Sequence, residues 1–393
     1  MSKDVWITGI GLVSSLGEGA QAHWDALDAA TPPSLDRETI APFAIHPMVE
    51  LDLSTQIAKR GDQRQMETWQ RLGVYAAGLA IDDANARDAD QLEVTDMVVA
   101  AGGGERDIQV DNELLTEMLA SNDRAHLLID RLSNNLRPTL FLAQLPNLVA
   151  GNISIVHGVR GSSRTFMGEE SAGLDAIRNA HARIAADQSQ ICLVGGSFNA
   201  AREDMILLYE MGGFNWTGDE ESVWARQEDN GGLRLGSMGA FVVLESADHA
   251  RARGQKPIAC IDAVAAGRGV RAAGQVNAAL KEHTAEFDLE GRKLGVISGA
   301  TGVASLAREE YDFLKSLDAP VRATASRVGH GVEAQVPFNV ALAALSVDKG
   351  RMFATADKHG IETEHDPAVD SVLVTSVGHW RGEGAVLVSR CED

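Results

Sequence analysis

The sequence predicts an α/β protein in which strands and helices alternate along the whole chain. Three observations support this prediction. Short apolar runs of strand type alternate with longer stretches of helical type. Several of the strand-like runs end in glycine, as is usual where a strand turns into a helix. No low-complexity linker marks off an independently folding piece among the 393 residues.

The strand-like runs are short and recur from the beginning of the chain to its end. Glycine-rich turns follow three of them, at residues 102–104, 195–196 and 299–302. The first and last of these turns follow strands that would hold equivalent places in two halves, which predicts a duplicated fold. The runs are Val5–Ile10, Met97–Ala101, Ile191–Val194, Phe241–Leu244, Leu294–Ile297, Ser371–Thr375 and Ala385–Val388.

A helix is predicted directly after Glu170. Leu174, Ile177, His181 and Ile184 fall at i, i+3, i+7 and i+10, which places them on one helical face. His181 belongs to this apolar face, so we interpret it as a packed residue rather than as a ligand.

The charge balance excludes one class of partner and restricts another. The formal net charge is −21, from 35 basic and 56 acidic residues, and such a surface repels the phosphate backbone of nucleic acids. An acidic carrier protein would need a local basic cluster, for which Lys59, Arg60, Arg64 and Arg71 are the candidates. The alternative interpretation of each of these residues is a solvated helical face.

Hydropathy predicts no insertion into a membrane, because the sequence has no run of eighteen consecutive apolar residues. The opening residues carry a single Lys and then an apolar run that glycines interrupt, which indicates a first strand rather than a secretory signal. We therefore expect a cytoplasmic protein.

The cysteines predict neither a disulfide framework nor a zinc site. Cys192, Cys260 and Cys391 lie far apart in the sequence and show no C-x-x-C spacing. Cys192 belongs to the apolar run ICLV, so we interpret it as a small buried hydrophobic residue.

Four segments of the chain carry a family pattern. They are VWITGIGLVSSLGEGAQAHWDAL from Val5, LPNLVAGNISIVHGVRG from Leu145, TFMGEESAGLDAIRNAHARIA from Thr165, followed by ICLVGGSFNA, and GAFVVLESADHARARGQKPIA from Gly239. Together they resemble the β-ketoacyl-acyl-carrier-protein synthases of the thiolase superfamily. The resemblance implies a thiolase-like fold of two related α/β halves, 1–250 and 251–393, in a five-layer αβαβα arrangement. It also implies an acyl carrier protein as a partner and a dimer whose second subunit helps to close the acyl pocket.

The condensation that this family performs depends on a cysteine that the chain lacks. The reaction needs a thiolate at a helix N-terminus, where the helix dipole and free N–H groups lower its pKa. Glu170 stands at that position, in a register that Gly173 and Ala176-Ile177 fix downstream. A carboxylate is electrostatically stable there, but it cannot form the acyl thioester. The resemblance therefore implies a chain that does not condense.

The other catalytic positions of the family are also changed. The reaction uses two histidines that polarise the malonyl group and a lysine that orders one of them. The first histidine position is Gly299, the lysine position is Ala325, and the second histidine is retained as His330. Near the C-terminus, SVGHWRGEG replaces the family's phenylalanine-containing glycine loop and places His379 and Trp380 at the gate.

Glu170 has three interpretations. It stands in for a charged acyl or thiolate group and holds a pocket in its loaded shape, or it assists the decarboxylation of a malonyl unit. In the third interpretation it is an ordinary acid of a first helical turn, a preference that it shares with Glu169. His330 is either a retained oxyanion-stabilising group or an idle residue bonded to a backbone carbonyl.

Two further segments carry weaker signals. GGGERD lacks both the Lys-Ser/Thr pair of a P-loop and the six-residue dinucleotide fingerprint, so Glu105, Arg106 and Asp107 are predicted to form a buried polar turn at a dimer interface. Trp216 and Trp224 are predicted to pack a loop onto the core.

The sequence supports three hypotheses on function. The first is a non-condensing subunit of fatty-acid synthesis, very long chains included, that resembles a chain-length factor and pairs with an active synthase. The second is a malonyl-carrier-protein decarboxylase that uses Glu170 and His330. The third is a homodimeric protein that binds acyl groups or carrier protein without any reaction. None of them implies a metal or an organic cofactor.

Overall fold

A computed structural model of the chain describes residues 3–136, 140–219, 222–226, 231–357, 360–363 and 368–391. Every predicted strand is confirmed, and only Ala101 falls just beyond the end of its strand. The sequence patterns missed four strands, β2, β4, β7 and β9 of the list below. In the described ranges, no helix combines the length and the apolar character that crossing a membrane requires.

The strands alternate with helices as predicted. The strands are β1 (Val5–Ser14), β2 (Gly17–Glu18), β3 (Asp96–Ala100), β4 (Ser163–Phe166), β5 (Ile191–Phe198), β6 (Met238–Ser246), β7 (Ala259–Gly267), β8 (Leu294–Ser298), β9 (Val321–Ala323), β10 (Ser371–Val377) and β11 (Glu383–Ser389). The helices are α1 (Gly19–Asp28), α2 (Arg60–Gln65), α3 (Thr68–Asp83), α4 (Ala89–Val94), α5 (Ile108–Ala120), α6 (Arg124–Asn135), α7 (Leu140–Ala143), α8 (Leu148–His157), α9 (Ser171–Ala185), α10 (Glu203–Met211), α11 (Ala247–Ala252), α12 (Gln275–Thr284), α13 (Ala304–Leu314), α14 (Ala325–Val328) and α15 (Gln335–Lys349).

The strand order shows the predicted duplication. The strands lie in the order β4-β3-β5-β6-β1-β7-β11-β10-β8-β9, with β2 paired to β1. Counted inward from the two ends of this order, the strands of the two halves correspond. The pairs are β4 with β9, β3 with β8, β5 with β10, β6 with β11 and β1 with β7. The directions also match, because β3 is parallel to β4 and β5, as β8 is to β9 and β10. The glycine-ended strands β3 and β8 therefore hold equivalent places, as predicted.

The helices complete the predicted αβαβα arrangement of a thiolase-like fold. The central helices α9 and α15 each contact strands of both halves. On the outside, α3 covers β1, β5 and β6, whereas α12 covers β7 and β11. α15 is buried from Gln335 to Val347, as expected for a helix that packs against strands of both halves. The division of the chain at residue 250 stays a prediction.

α9 confirms the predicted helix and its buried face. Leu174, Ile177 and Ile184 are buried. His181 is partly buried, and its Nε2 lies 3.1 Å from the carbonyl oxygen of Ile261 in β7. It is thus a packed residue that ties α9 to the C-terminal half.

The prediction that the cysteines form no disulfide framework is wrong for two of them. Cys260 and Cys391 form a disulfide, with their Cα atoms 5.2 Å apart. Cys260 lies in β7 opposite Ser389 of β11, and Cys391 follows shortly after that strand. The sheet therefore joins residues that are 131 positions apart, which sequence spacing cannot reveal. Cys192 is confirmed as a buried thiol.

The predicted buried turn within GGGERD is wrong for Arg106, which is exposed and pairs with Asp111 at 2.7 Å. Glu105 and Asp107 are partly buried, and Asp107 caps α5 by accepting a hydrogen bond from the Val110 N–H. The turn takes this form because it begins a surface helix. Its place in an interface stays a prediction. Both tryptophans of the predicted loop, at 216 and 224, are buried as expected.

Candidate functional site

Glu170 occupies the turn between β4 and α9. The turn passes through two residues with left-handed backbone angles, Gly168 at φ 114° and Glu169 at φ 49°, and a non-glycine residue rarely adopts such angles. Glu170 follows as the N-cap residue of α9 and is 2% exposed. The sharp turn thus directs a carboxylate into the protein interior at a helix N-terminus.

Three side chains from separate elements surround this carboxylate. The Tyr209 hydroxyl, on α10, donates a hydrogen bond of 3.0 Å to Glu170 Oε1. His379 Nδ1 contacts the same oxygen in a short hydrogen bond. His330 Nε2 lies 3.7 Å from it. Glu170 Oε2 has no hydrogen-bond partner among the described residues.

His379 is held in the tight turn that joins β10 to β11. The Gly378 N–H donates to the Gly382 carbonyl at 2.8 Å and closes the turn. Arg271 binds the same turn from outside, since its Nε donates to the Gly378 carbonyl at 3.0 Å and it pairs with Glu383. The turn is therefore fixed, which positions the imidazole of His379.

The second ring nitrogen of His379, Nε2, lies 2.9 Å from the Thr301 hydroxyl. Thr301 belongs to the glycine-rich turn after β8 and is buried. His379 therefore connects three elements: the gate turn that carries it, the turn after β8, and the start of α9.

Aromatic rings enclose His379. The ring centroids of Tyr209 and Trp380 are 5.1 Å apart, and the Phe214 ring lies 5.3 Å from both His379 and Trp380. Trp380 itself is only partly buried. These rings replace water around the Glu170–His379 pair and strengthen its electrostatic interaction.

His330 is placed by its backbone. Its N–H donates to the Arg234 carbonyl at 2.7 Å, and its carbonyl accepts from the Gly236 N–H at 2.9 Å. The preceding Gly329 has φ 71°, and a Cβ there would lie 2.6 Å from the His46 side chain, so the position requires glycine. Among the described residues, neither ring nitrogen of His330 has a hydrogen-bond partner, so the backbone carbonyl expected for an idle His330 is not found there.

Burial and charge oppose each other on the ionisable groups of this cluster. Burial would raise the pKa of Glu170, but His379 and the nearby His330 outweigh it and hold that pKa well below its usual value. Burial lowers the pKa of His330, although the Glu170 carboxylate opposes the shift. Burial and the Glu170 charge raise the pKa of the Tyr209 hydroxyl well above its usual value. Glu170 is therefore an anion and Tyr209 a neutral donor.

Gly299 and Ala325 bring no functional side chain to the cluster. The Gly299 N–H donates to Glu310 and to the Thr375 hydroxyl, and a Cβ at this glycine would lie 2.8 Å from the Thr375 carbonyl oxygen. Ala325 is buried at the start of α14. Their assignment as the family's histidine and lysine positions stays a prediction.

Sequence patterns missed Tyr209, Phe214, Thr301 and Glu333. Of these, only Thr301 carried a signal, because it lies in the glycine-rich turn after β8. Glu333 is buried close to this cluster and accepts a hydrogen bond of 2.8 Å from the Gly102 N–H. Burial raises the pKa of Glu333 to about 7.

The cluster can bind cations and donate hydrogen bonds, but it offers no thiol nucleophile. The one free cysteine of the described residues, Cys192, is buried in β5. Glu170, His330 and His379 each present an atom of a metal-ligand type, and these atoms lie within 4.8 Å of one another.

Solved ketosynthase structures superpose on the whole chain and define its fold class as thiolase-like. The ishigamide ketosynthase/chain length factor covers 100% of this chain and 100% of its own, at a TM-score of 0.81 and 17% identity. A β-ketoacyl synthase from Burkholderia phymatum STM815 covers 99% of this chain and 100% of its own, at a TM-score of 0.80 and 17% identity. A type II PKS acyl-carrier protein in complex with its ketosynthase, AntDE:AntF, matches with a TM-score of 0.77 and 18% identity.

The sequence model described as "Beta-ketoacyl synthase, N-terminal domain" matches residues 2–250, and the chain belongs to this family. The 3-oxoacyl-[acyl-carrier-protein] synthase 2 of Rhizobium meliloti (strain 1021) is 27% identical over 285 residues, which cover 65% of this chain and 62% of the relative. The protein named oxytetracycline polyketide β-ketoacyl synthase 1 of Streptomyces rimosus is 25% identical over 425 residues, which cover 99% of this chain and 94% of the relative.

Proposed function

We propose that the chain is a non-condensing subunit resembling a chain-length factor, which pairs with an active β-ketoacyl synthase and shapes its acyl pocket. The observation that carries this proposal is Glu170. It is a buried anion at the helix N-terminus where the family pattern has its cysteine, and His379 and Tyr209 bind it. An intact ketosynthase scaffold thus encloses a group that cannot be acylated as a thioester.

The contacts of Glu170 argue for a permanent role in shaping the pocket. Its carboxylate joins the start of α9 to the gate turn through His379. In a condensing member of the family, the residue at this position would gain and lose an acyl group in every reaction cycle. Here a fixed negative group holds the gate turn in one arrangement, as the first interpretation of Glu170 predicts.

The same carboxylate argues against decarboxylation. Malonyl-carrier protein brings its own carboxylate to the histidines of a ketosynthase site. Glu170 already places a negative charge 3.7 Å from His330 Nε2, and two anions in one buried site repel each other. The decarboxylase hypothesis would therefore require Glu170 to leave this position or to be neutralised.

Exposed apolar side chains support a protein partner. β4 is an edge strand, and no strand of the described ranges pairs with its outer side. Met167, directly after it, is exposed. Helices α5 and α6 pack on each other and expose Leu115, Leu119 and Ile129. Such surfaces usually lie in interfaces. We assign the β4 edge and the α5–α6 face to contacts with an active synthase, because the ishigamide structure names a ketosynthase together with a chain length factor.

A basic patch supports docking of an acyl carrier protein. Lys59, Arg60 and Arg64 are exposed at α2. Arg71, the fourth sequence candidate, instead turns toward the protein and donates to the Gln63 carbonyl and the Thr68 hydroxyl. The patch would attract an acidic carrier within about 10 Å at moderate salt, despite the negative net charge of the chain.

Co-expression tests the proposal. The chain should be produced with each candidate β-ketoacyl synthase of its own genome, and the complex and the acyl products analysed. We expect a stable heteromeric complex whose product length differs from that of the synthase alone. A synthase that runs equally well without the chain, with identical products, would overturn the proposal.

Matched variants locate the two surfaces. Leu119→Asp on α5 should abolish co-purification, while Ile155→Asp, an equally apolar exposed position on α8, should not. The triple variant Lys59→Glu, Arg60→Glu, Arg64→Glu should weaken carrier-protein binding at least about tenfold, which corresponds to about 1.4 kcal/mol. Arg124→Glu on α6 is its control. Equal binding by all of these variants would place the interfaces elsewhere.

A further inference from the structure

The Glu170 cluster contains the side-chain types that bind transition metals. Glu170, His330 and His379 supply one carboxylate and two imidazoles, all buried, with ligand atoms within 4.8 Å of one another. Two histidines and one carboxylate are a recurrent ligand set of catalytic zinc and non-haem iron sites. Calcium and magnesium prefer oxygen ligands alone, so they suit the cluster poorly.

The ligand atoms lie at separations that bracket those around a shared ion. Zinc bonds to imidazole and carboxylate measure about 2.0–2.2 Å, which places neighbouring ligand atoms of a tetrahedral site about 3.3 Å apart. Here one pair, Glu170 Oε1 with His330 Nε2, is 3.7 Å apart, and the other, Glu170 Oε1 with His379 Nδ1, is in closer contact.

A second, independent observation points to a ligand. Glu170 Oε2 and both ring nitrogens of His330 are buried and have no hydrogen-bond partner among the described residues. A buried polar group without a partner destabilises the folded protein. An ion between Glu170 and His330 would satisfy the carboxylate and one imidazole nitrogen together.

The neighbours of the three side chains suit a metal site. The Thr301 hydroxyl lies 2.9 Å from His379 Nε2, which leaves Nδ1 directed at Glu170. The Tyr209 hydroxyl orients the carboxylate. Outer hydrogen bonds of this kind fix ligand orientation in metal sites. Backbone hydrogen bonds hold the main chain at His330 and the gate turn at His379.

We infer that Glu170, His330 and His379 form a binding site for one divalent transition-metal ion of the zinc class. The ion would join α9 of the N-terminal half to two connections of the C-terminal half. This inference does not depend on the proposed partnership with a synthase.

Metal binding by the purified full-length chain tests the inference. After dialysis against a chelator, the protein should be titrated with Zn²⁺ by calorimetry, and with Co²⁺ while its visible absorption is recorded. We expect one equivalent per chain and Co²⁺ bands of a four- or five-coordinate site. Binding that is absent, or no stronger than in the variant lacking all three ligands, would overturn the inference.

Single variants separate ligation from folding. Glu170→Gln and His379→Gln should each weaken Zn²⁺ binding at least about tenfold, whereas His126→Gln, at an exposed histidine on α6, should leave it unchanged. Circular dichroism checks that each variant is folded. Thr301→Val keeps all three ligands and should weaken binding about 10–100-fold through the orientation of His379. Unchanged affinity in Glu170→Gln and His379→Gln would assign any bound zinc to another part of the chain.

The outcome is distinguishable from that of the proposed function. Co-purification with a synthase is measured without added metal, and zinc binding is measured without a synthase. A chain that recruits its synthase but binds no zinc would overturn the metal site alone.

Discussion

The two halves of the molecule share a strand order, yet the connections after equivalent strands are built differently. After β4 the chain turns at once into the central helix α9, and Glu170 stands at its N-terminus. After β9 it passes through α14 and a 3-10 turn before the central helix α15, and His330 projects from this longer connection. The duplicated scaffold therefore determines where both central helices begin, while the connections determine which side chains meet between them.

The strongest test of this comparison removes the group that joins the two connections. Glu170→Ala leaves His379 and Tyr209 without their shared carboxylate, so the free energy of unfolding should fall by about 3–5 kcal/mol. Glu170→Gln retains the acceptor oxygen and should cost markedly less. Denaturant titration of both variants measures the difference. Equal stability of the wild type and Glu170→Ala would show that the carboxylate does not stabilise the junction.

A pH series tests the C-terminal connection through Glu333. Burial raises its pKa from 4.5 to about 7, so near neutral pH the folded protein retains a proton that the unfolded chain has released. The contribution of Glu333 to stability is therefore greatest below pH 4.5 and falls as the pH rises through 7, by about 3 kcal/mol in total. Glu333→Gln cannot ionise and keeps the acceptor for Gly102, so it should remove this loss.

The measurement for Glu333 is the free energy of unfolding at about pH 5 and about pH 8. Glu282→Gln, at an exposed position on α12, should leave the pH dependence of the wild type intact. A Glu333→Gln profile that parallels the wild type would mean that another group titrates.

The glycine-rich turns after β3 and β8 allow a finer comparison. A Cβ at Gly299 would lie 2.8 Å from the Thr375 carbonyl oxygen, whereas a Cβ at Gly103 would meet nothing within 4 Å. Gly299→Ala should therefore cost about 1–3 kcal/mol through overpacking, and Gly103→Ala should be close to neutral. Thermal melts of the two variants measure this difference in stability. Equal melting temperatures would contradict the close packing at Gly299.

The smallest expected effect comes from restoring the nucleophile type. Glu170→Cys places a thiol at the start of α9, but Ala325 and Gly299 stand at the predicted lysine and histidine positions of the C-terminal half. The variant should form no more condensation product from acyl- and malonyl-carrier protein than the parent chain, as measured by mass spectrometry. Turnover by Glu170→Cys would show that the C-terminal half retains enough of the machinery.

Local patterns predicted seven of the strands and the helix after Glu170 because burial leaves a periodic trace in the sequence. They also placed His330, His379 and Trp380 near Glu170, through a family pattern that orders these segments. Tyr209 was missed because nothing on α10 itself indicates that its hydroxyl reaches α9. The disulfide of Cys260 was missed for the same reason, since the pairing exists only once β7 and β11 are neighbours.

The complete burial of α15 bears on how the chain folds during synthesis. Each sheet half needs the central helices to cover its inner face, and α15 leaves the ribosome only after β6 through β9 have been made. With only α9 packed on that face, the N-terminal half would meanwhile expose part of its apolar surface to other chains and to chaperones. Slow translation between β6 and α15 would lengthen this exposure. Conditions that stall synthesis between these two elements should therefore increase aggregation of the incomplete chain.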